Sequence, residues 1–180
     1  MENVSFDYIV VGAGAAGLAS AQYASRGGLK TVVIDISDAG GQALQIAQLE
    51  NYPGVYPSVT GRELADAMRA QAESFGVKII QAHVLALDKI GVLFHVHTKD
   101  SEYTAPAMLI ATGAEHKMLG VPGEKEFTGS GVSYCAVCDG PFFKDKNIVV
   151  VGGGDSACTE ALYLSTLSSR VLLVHRRRQL

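Results

Sequence analysis

The chain has 180 residues, of which 48% are hydrophobic and 18% are charged. This is the composition of a globular protein with enough apolar residues for one domain, or for one domain and part of another. The net charge of −3 gives no electrostatic sign of nucleic-acid binding, so we expect no nucleic-acid partner.

The amino-terminal sequence and the cysteines favour a cytoplasmic protein. No basic segment precedes the first apolar run, which leads into a glycine turn, so we expect a first core strand and not a signal peptide. No apolar run is long enough to span a bilayer, which predicts that the protein has no membrane association. The three cysteines do not form the framework of a secreted, disulfide-rich protein.

A glycine-rich turn follows the first predicted strand, Phe6–Val11, and precedes an apolar helix. In the Gly-x-Gly-x-x-Gly motif, Gly12 permits a tight turn, Gly14 lets backbone N–H groups approach a pyrophosphate, and Gly17 lets the helix lie close to the strand. The motif alone is also found as a glycine turn in other folds, but strand, turn and helix together favour a dinucleotide site. The residues predicted to bind the phosphates are Gly12, Gly14, Ala15, Ala16 and Gly17.

The second predicted strand, Thr31–Ile34, ends at Asp35. A carboxylate at this position accepts a hydrogen bond from a free ribose 2′-OH and repels a 2′-phosphate. The first motif therefore suits FAD or NAD.

The middle of the chain supplies a helix and further strands. Thr60 and Glu63 have the spacing of a capping box and predict a helix to about Phe75, with one buried stripe of Leu64, Ala67, Met68 and Gln71. Strands over Val77–Ile80, Val84–Leu87, Val92–Thr98 and at Tyr103, with turns at Asp88–Gly91 and Lys99–Ser101, predict a small β-meander that interrupts the parallel sheet.

The histidines predict no metal site. His95 and His97 alternate with apolar residues and share one strand face, but no third ligand has a useful spacing, so we expect a solvated strand face. His83 and His116 are isolated, and we assign them no function.

A further apolar strand over Ala107–Gly113 ends in small residues, where a parallel sheet would again meet its cofactor. The polar segment Glu115–Glu126, which contains Pro122–Gly123, indicates a crossing between domains. We therefore predict one domain over residues 1–114 and a second over residues 115–180.

Cys135 and Cys138 form a Cys-x-x-Cys motif, which can close a small disulfide ring and act as a redox site. A zinc half-site is the alternative, but no second Cys-x-x-Cys or Cys-x-x-His is present. Cys158 has no nearby cysteine in the sequence, and we expect it to pack as a small apolar residue.

The strand, glycine turn, helix and strand of the first module recur after the cysteines. Strands over Asn147–Val151 and Val171–Val174 flank a Gly-x-Gly-x-x-Ala turn and a helix over Thr159–Leu167. Here His175 occupies the position of Asp35 and three arginines follow it, which suits the 2′-phosphate of NADP(H); a solvated cationic surface is the alternative. The residues predicted to bind this second nucleotide are Gly152, Gly154, Asp155, Ser156, Ala157, His175, Arg176 and Arg177.

Taken together, these motifs resemble those of the bacterial, low-molecular-weight thioredoxin reductase family over essentially the whole chain. The matching stretches are Gly12–Gly17 with Asp35, Gly40–Gln42, Glu50–Gly54, Ala111–Ala114, Cys135–Gly140, Gly152–Ala157 and His175–Arg178. The resemblance implies an α/β fold with two Rossmann-like, three-layer ββα modules, with FAD in the first and NADPH in the second. It also implies a homodimer and thioredoxin as the partner.

The resemblance assigns further site residues and roles. Cys138 would be the sulfur nearest the flavin, Cys135 would attack the thioredoxin disulfide, and Asp139 would move protons, although Asp139 could instead cap the turn at Gly140. Electrons would pass from NADPH through FAD to the cysteine pair. Further FAD-binding residues would be Gly40, Gly41, Gln42, Asn51, Val84, Ala111, Thr112 and Gly113, although the glycine turns at Gly40–Gln42 and Asn51–Gly54 also suit plain loops.

The family pattern continues beyond Leu180, so we expect both modules to be incomplete in this chain. Two alternative functions stay open at this stage. A flavoprotein reductase of a peroxiredoxin system shares the pattern from Cys135 to Phe143, but that family has an additional amino-terminal redox domain. A non-catalytic nucleotide-binding fragment is the second alternative.

Overall fold

The computed structural model describes residues 2–178, so Met1, Gln179 and Leu180, at the ends of the predicted domains, lie outside the described residues. The chain divides into two compact α/β units, of which the first extends to Glu115 and the second begins at His116. Within the described part of the chain, no helix is both long and apolar enough to cross a membrane.

The described residues of the first unit, 2–115, form two helices and eight strands. In chain order these are β1 (Glu2–Ser5), β2 (Tyr8–Val11), α1 (Ala15–Arg26), β3 (Thr31–Asp35), α2 (Gly61–Ser74), β4 (Lys78–Gln81), β5 (Ala86–Ile90), β6 (Leu93–His97), β7 (Ser101–Ala105) and β8 (Ala107–Ile110), with a 3₁₀ turn at Gly41–Gln45 between β3 and α2.

The strands of the first unit form two sheets that pack in layers. A parallel sheet has the order β4-β3-β2-β8, and a mixed sheet has the order β1-β7-β6-β5. Alternate residues of β2 point to opposite faces: Ile9 packs towards Val96 and Tyr103 of the mixed sheet, and Val10 packs against Leu18 of α1. The layers are therefore sheet, sheet and helix, and the predicted three-layer ββα fold is confirmed.

The first predicted strand, Phe6–Val11, is shorter than expected, and an additional strand, β1, precedes it in the other sheet. The β1 strand pairs with β7, and β2 begins only at Tyr8, where it pairs with β3 and β8. Between them, the N–H of Phe6 donates to Thr104 and the N–H of Asp7 donates to Lys30. The chain changes sheets at this point because its backbone finds hydrogen-bond partners first on one sheet and then on the other.

Helix α2 has the predicted capping box but a different buried face. The Thr60 hydroxyl accepts from the Glu63 N–H, and the Glu63 carboxylate accepts from the Thr60 N–H. The buried residues are Gly61, Ala65 and Ala72, and the predicted stripe is wrong at its two exposed members, Ala67 and Gln71. Small residues face the protein here because the helix approaches closely: a Cβ on Gly61 would lie 1.8 Å from a backbone oxygen.

Two of the predicted strands differ from the observed ones. The strand predicted at Val77–Ile80 is β4, which pairs with β3 in the parallel sheet and does not belong to the meander. The strand predicted at Val84–Leu87 is Ala86–Ile90, so Asp88 lies in a strand and not in a turn. Every residue of this edge strand is exposed, so no buried alternation marks its register in the sequence.

The second unit repeats the motif of strand, helix and strand. It contains α3 (Ala136–Asp139), a 3₁₀ turn (Gly140–Phe143), β9 (Ile148–Val151), α4 (Asp155–Ser165) and β10 (Val171–Val174), with β9 and β10 parallel. Leu164 of α4 packs on Val150 and Ala136, while the opposite sheet face, with Val149, Val151, Leu172 and Val174, is exposed. Cys158 of α4 is a half-buried free thiol.

Candidate functional site

The glycine turn between β2 and α1 depends on two glycines. Gly12 has a φ of +109°, and a Cβ at this position would lie 2.2 Å from the backbone oxygen of Ala111. A Cβ on Gly17 would lie 1.9 Å from the backbone oxygen of Gly12. Both residues must therefore be glycine for β2, α1 and the end of β8 to approach this closely.

Gly14 has a different role, because it faces open space. It precedes α1 with an ordinary extended φ of −74°, and a Cβ at this position would meet nothing within 4 Å. Within residues 2–178, no side chain caps the first N–H groups of α1. An uncapped helix N-terminus beside an open glycine fits the pyrophosphate of a dinucleotide, since the N–H groups can donate to phosphate oxygens.

Asp35, at the end of β3, supports the glycine turn directly. Its Oδ2 accepts a 2.6 Å hydrogen bond from the N–H of Ala13, and its Oδ1 accepts from the N–H of Ser37 at 2.9 Å. A carboxylate has about four lone-pair sites, so Asp35 can accept a further bond from a ribose hydroxyl. The residue therefore couples the position of the phosphate loop to the expected ribose contact.

Two more predicted segments lie beside this turn. The N–H of Gly40 donates to the Ala13 carbonyl at 2.8 Å, and Gly14 and Gly40 form an isolated β-bridge. The Gln42 side chain donates to the backbone oxygen of Ala114, which follows the exposed Thr112 and Gly113. The structure thus brings the ends of β2, β3 and β8 together with the Gly40–Gln42 turn.

Within residues 2–178, no hydrogen bond links Asn51 or Val84 to the glycine turn that follows β2. Asn51 lies in an exposed loop. Val84 is half-buried and packs against the core between the two sheets.

The second unit carries a disulfide between Cys135 and Cys138. Cys135 is half-buried and immediately precedes α3, whereas Cys138, within α3, is exposed. The backbone nitrogen of Cys138 lies 3.2 Å from the sulfur of Cys135. Sulfurs joined in a disulfide are not metal ligands, and the described residues contain no group of three side chains that could hold a metal ion.

A residue that the sequence reasoning missed, Ser133, organises this turn. Its hydroxyl donates to the Asp139 carboxylate at 2.5 Å and accepts from the N–H of Cys135 at 3.1 Å. Asp139 makes no side-chain capping bond to the turn that begins at Gly140. The signal in the sequence was a serine two positions before a turn residue, a spacing at which a hydroxyl commonly bonds to the backbone.

The glycine turn between β9 and α4 repeats the geometry of the first. The N–H of Gly152 donates to Val174 at 2.9 Å, as the N–H of Gly12 donates to Ile34 at 2.8 Å. Gly154 has a φ of −103° and open space around its Cβ position, so this loop also fits a phosphate group. Asp155, Ser156 and Ala157 form the first turn of α4.

The end of β10 differs from the end of β3. His175 packs closely on the loop, since a Cβ on Gly153 would lie 2.9 Å from its Nδ1 atom, and this nitrogen accepts from the N–H of Arg177 at 3.3 Å. Arg176, Arg177 and Arg178 are exposed, and within residues 2–178 none of the three forms a salt bridge. Three free guanidinium groups beside an open phosphate loop fit an additional phosphate.

His95 and His97 share one partly exposed strand face, as predicted, but each also pairs with an acidic side chain of a neighbouring strand, which was not predicted. His95 lies 2.5 Å from Glu102, and His97 lies 3.1 Å from Asp88, and both histidines are half-buried. The hydrogen bond with His95 holds the pKa of Glu102 below its usual value. The pairing was missed because both contacts are diagonal across antiparallel strands, and their register cannot be read from one strand. His116 is also not isolated, because it stacks on Tyr134, whereas His83 is exposed.

Two dinucleotide-type glycine loops and a Cys-x-x-Cys disulfide are the features of a nucleotide-dependent disulfide oxidoreductase. Residues 6–180 match the family model described as pyridine nucleotide-disulphide oxidoreductase. The chain belongs to this family.

Similar proteins carry a more specific name. Over 96% of this chain, the sequence is 54% identical to the thioredoxin reductase of Treponema pallidum (strain Nichols). Over 99% of this chain, it is 46% identical to the thioredoxin reductase of Bacillus subtilis (strain 168). The crystal structure of thioredoxin reductase from Streptococcus pyogenes MGAS5005 superposes with a TM-score of 0.93 at 45% identity, covering 99% of this chain and 58% of that one. The chain spans 56% of the length of the two curated relatives.

Proposed function

We propose that this chain is part of an NADPH-dependent flavoprotein that reduces the disulfide of oxidised thioredoxin. The observation that carries the proposal is the Cys135–Cys138 disulfide, in a chain that also has two open dinucleotide loops. Both curated relatives described above are named thioredoxin reductase, which supports the choice of substrate.

The two loops would divide the cofactors between them. The turn at Gly12–Gly17 would hold the FAD pyrophosphate, and Asp35 would accept a hydrogen bond from the ribose. The turn at Gly152–Ala157 would hold NADPH, and Arg176 and Arg177 would pair with its 2′-phosphate. When bound, NADPH supplies a hydride and FAD passes two electrons on. We assign the remaining FAD contacts to Gly40, Gly41, Gln42, Asn51, Val84, Ala111, Thr112 and Gly113.

The segment from Ser133 to Asp139, here called the redox turn, would carry out the sulfur chemistry. Opening the disulfide takes two electrons and gives two thiols once two protons are bound. We assign Cys138 to the side that receives electrons and Cys135 to the attack on the thioredoxin disulfide, which proceeds through a mixed disulfide. Asp139, oriented by the Ser133 hydroxyl, would exchange a proton with the thiol that must become a thiolate.

The family resemblance also implies a cytoplasmic location and a homodimer, and we propose both properties for the complete protein. Sedimentation of that protein at micromolar concentration tests the dimer, and a mass of one chain would contradict it.

Replacing Cys138 by Ser in the complete protein tests the function. We expect thioredoxin reduction to fall about 1,000-fold or more, because a disulfide can no longer form, while NADPH still bleaches the yellow flavin under anaerobic conditions. Cys158→Ser is the matched control, since it removes the free thiol, and it should keep full turnover. Thioredoxin turnover by Cys138→Ser would contradict the proposal.

The same assay separates the alternatives. A protein that stays colourless and shows no NADPH-linked thiol formation would be an inert nucleotide-binding protein. A protein that reduces only the disulfide carrier of a peroxiredoxin system would belong to that system.

A further inference from the structure

A buried carboxylate lies close in sequence to the redox turn and has no role in the proposed chemistry. The side chain of Glu124 is in the polar segment after Glu115, and the residue is only 4% exposed. Its Oε1 accepts from the N–H of Leu119 at 2.8 Å, and its Oε2 accepts from the N–H of Gly120 at 2.7 Å. Buried charges are costly unless they are well hydrogen-bonded, so this arrangement is a built feature of the segment.

The third hydrogen bond to this carboxylate comes from the residue that precedes the disulfide. The Tyr134 hydroxyl donates to Oε1 of Glu124 at 2.9 Å. The Tyr134 ring is held on one side by His116, whose ring is nearly parallel at a centroid distance of 4.6 Å. The backbone N–H of Leu119, followed by Tyr134 and Gly120, holds the pKa of Glu124 below its usual value, so the group is ionised at neutral pH.

We propose that Glu124 and Tyr134 are positioning residues for the Cys135–Cys138 disulfide. Tyr134 is bonded directly to Cys135, so a fixed tyrosine fixes the backbone that leads into α3. With this backbone fixed, the Cys135 thiol of the reduced state stays close to Cys138. Its effective concentration rises, and the disulfide is favoured over the dithiol.

The inference rests on the proposed redox role of the cysteine pair, but it can be measured without cofactors or thioredoxin. The chain is equilibrated with mixtures of reduced and oxidised dithiothreitol. Reduced dithiothreitol gives two electrons and two protons to the Cys135–Cys138 bond, and its own two thiols close to a cyclic disulfide. Alkylation and mass spectrometry then count the free thiols, in a Cys158→Ser background so that only the redox pair contributes.

The decisive variant is Tyr134→Phe, which removes one hydroxyl and keeps the ring on His116. We expect its disulfide to be reduced about three- to tenfold more readily, equal to about 14 to 30 mV for a two-electron couple. Glu124→Gln should shift the equilibrium in the same direction, because it replaces one of the two acceptor oxygens that hold Leu119, Gly120 and Tyr134 by an NH₂ group that cannot accept.

Tyr163→Phe is the matched control, because this tyrosine lies in the same unit and its hydroxyl makes no hydrogen bond within residues 2–178. It should leave the equilibrium within about twofold of the parent chain. The proposal is overturned if Tyr134→Phe also stays within this range, whatever happens to its unfolding temperature. The outcome is independent of thioredoxin turnover, so this inference and the proposed function fail separately.

Discussion

The two glycine loops share a backbone but differ in the residues that surround it. Gly12 and Gly152 both have a positive φ and donate to the end of the neighbouring strand, and Gly14 and Gly154 both face open space. Asp35 accepts a hydrogen bond from the first loop, whereas His175 packs on the second loop and is followed by exposed arginines. The fold thus builds the same glycine loop twice, and the two copies differ at the end of the second strand, which in the proposed function would select the nucleotide.

The third glycine position shows a further difference. A Cβ on Gly17 would lie 1.9 Å from the Gly12 oxygen, yet Ala157 occupies the equivalent position of the second loop. The second loop has room for the methyl group of Ala157, although a Cβ added to Gly152 would lie only 2.8 Å from it. The first helix therefore lies closer to its loop than the second does.

The largest expected effect comes from Gly17→Ala. The added methyl group clashes with backbone that cannot move away, so we expect the first unit to lose about 3 kcal/mol or more of its free energy of unfolding. Urea unfolding followed by circular dichroism measures this loss. Ala157→Gly is the control in the second loop and should change stability by less than about 1 kcal/mol. Equal losses in the two variants would show that the loops have the same geometry.

Gly14→Ala and Gly154→Ala should weaken nucleotide binding and leave stability unchanged, the opposite of the effect expected for Gly17→Ala. Both positions have an ordinary φ and open space, so we expect stability to stay within about 0.5 kcal/mol of the parent chain. The methyl group occupies the space that a phosphate would enter, so binding should weaken about tenfold or more. Titration with FAD for the first variant and NADPH for the second measures this change. Unchanged affinity in either variant would remove that loop from the binding site.

The smallest expected effect concerns the choice of nucleotide in the second loop. Replacing Arg176 and Arg177 together by Gln should weaken NADPH binding about tenfold. The double variant lacks the two exposed guanidinium groups that would form charge-assisted hydrogen bonds with the 2′-phosphate. Binding of NADH, which lacks this phosphate, should change less than twofold. Fluorescence titration with both nucleotides gives the ratio. An equal loss for both would assign the arginines to general electrostatic attraction.

Local sequence patterns predicted those parts of the fold that local physics determines. The glycine loops, the capping box at Thr60 and Glu63, and the strands at either side of each loop need only neighbouring residues, and the structure contains them. The candidate site at the carboxyl ends of the parallel strands was predicted from the same patterns, because ligands of parallel sheets commonly bind at that edge.

The remaining features depend on contacts between distant segments. The strand at Lys78–Gln81 joins β3 because β3 offers a partner, which no pattern in the strand itself records. Likewise, Tyr134 and Glu124 are ten positions apart and meet through a folded turn. From the sequence alone, a glutamate in a polar segment is expected at the surface, and its burial is understood only once the backbone N–H groups that bind its carboxylate are known.

The short strand β1 has a consequence for handling the protein. It covers the edge of β7 through parallel pairing from Glu2 to Ser5, only three residues before β2 enters the other sheet. Trimming the amino terminus as far as Ser5 would leave the hydrogen-bonding groups of β7 open, and uncovered strand edges recruit strands from other molecules. Shortened versions of this chain would for that reason be prone to self-association, and an affinity tag is better joined through a flexible linker than placed directly on this strand.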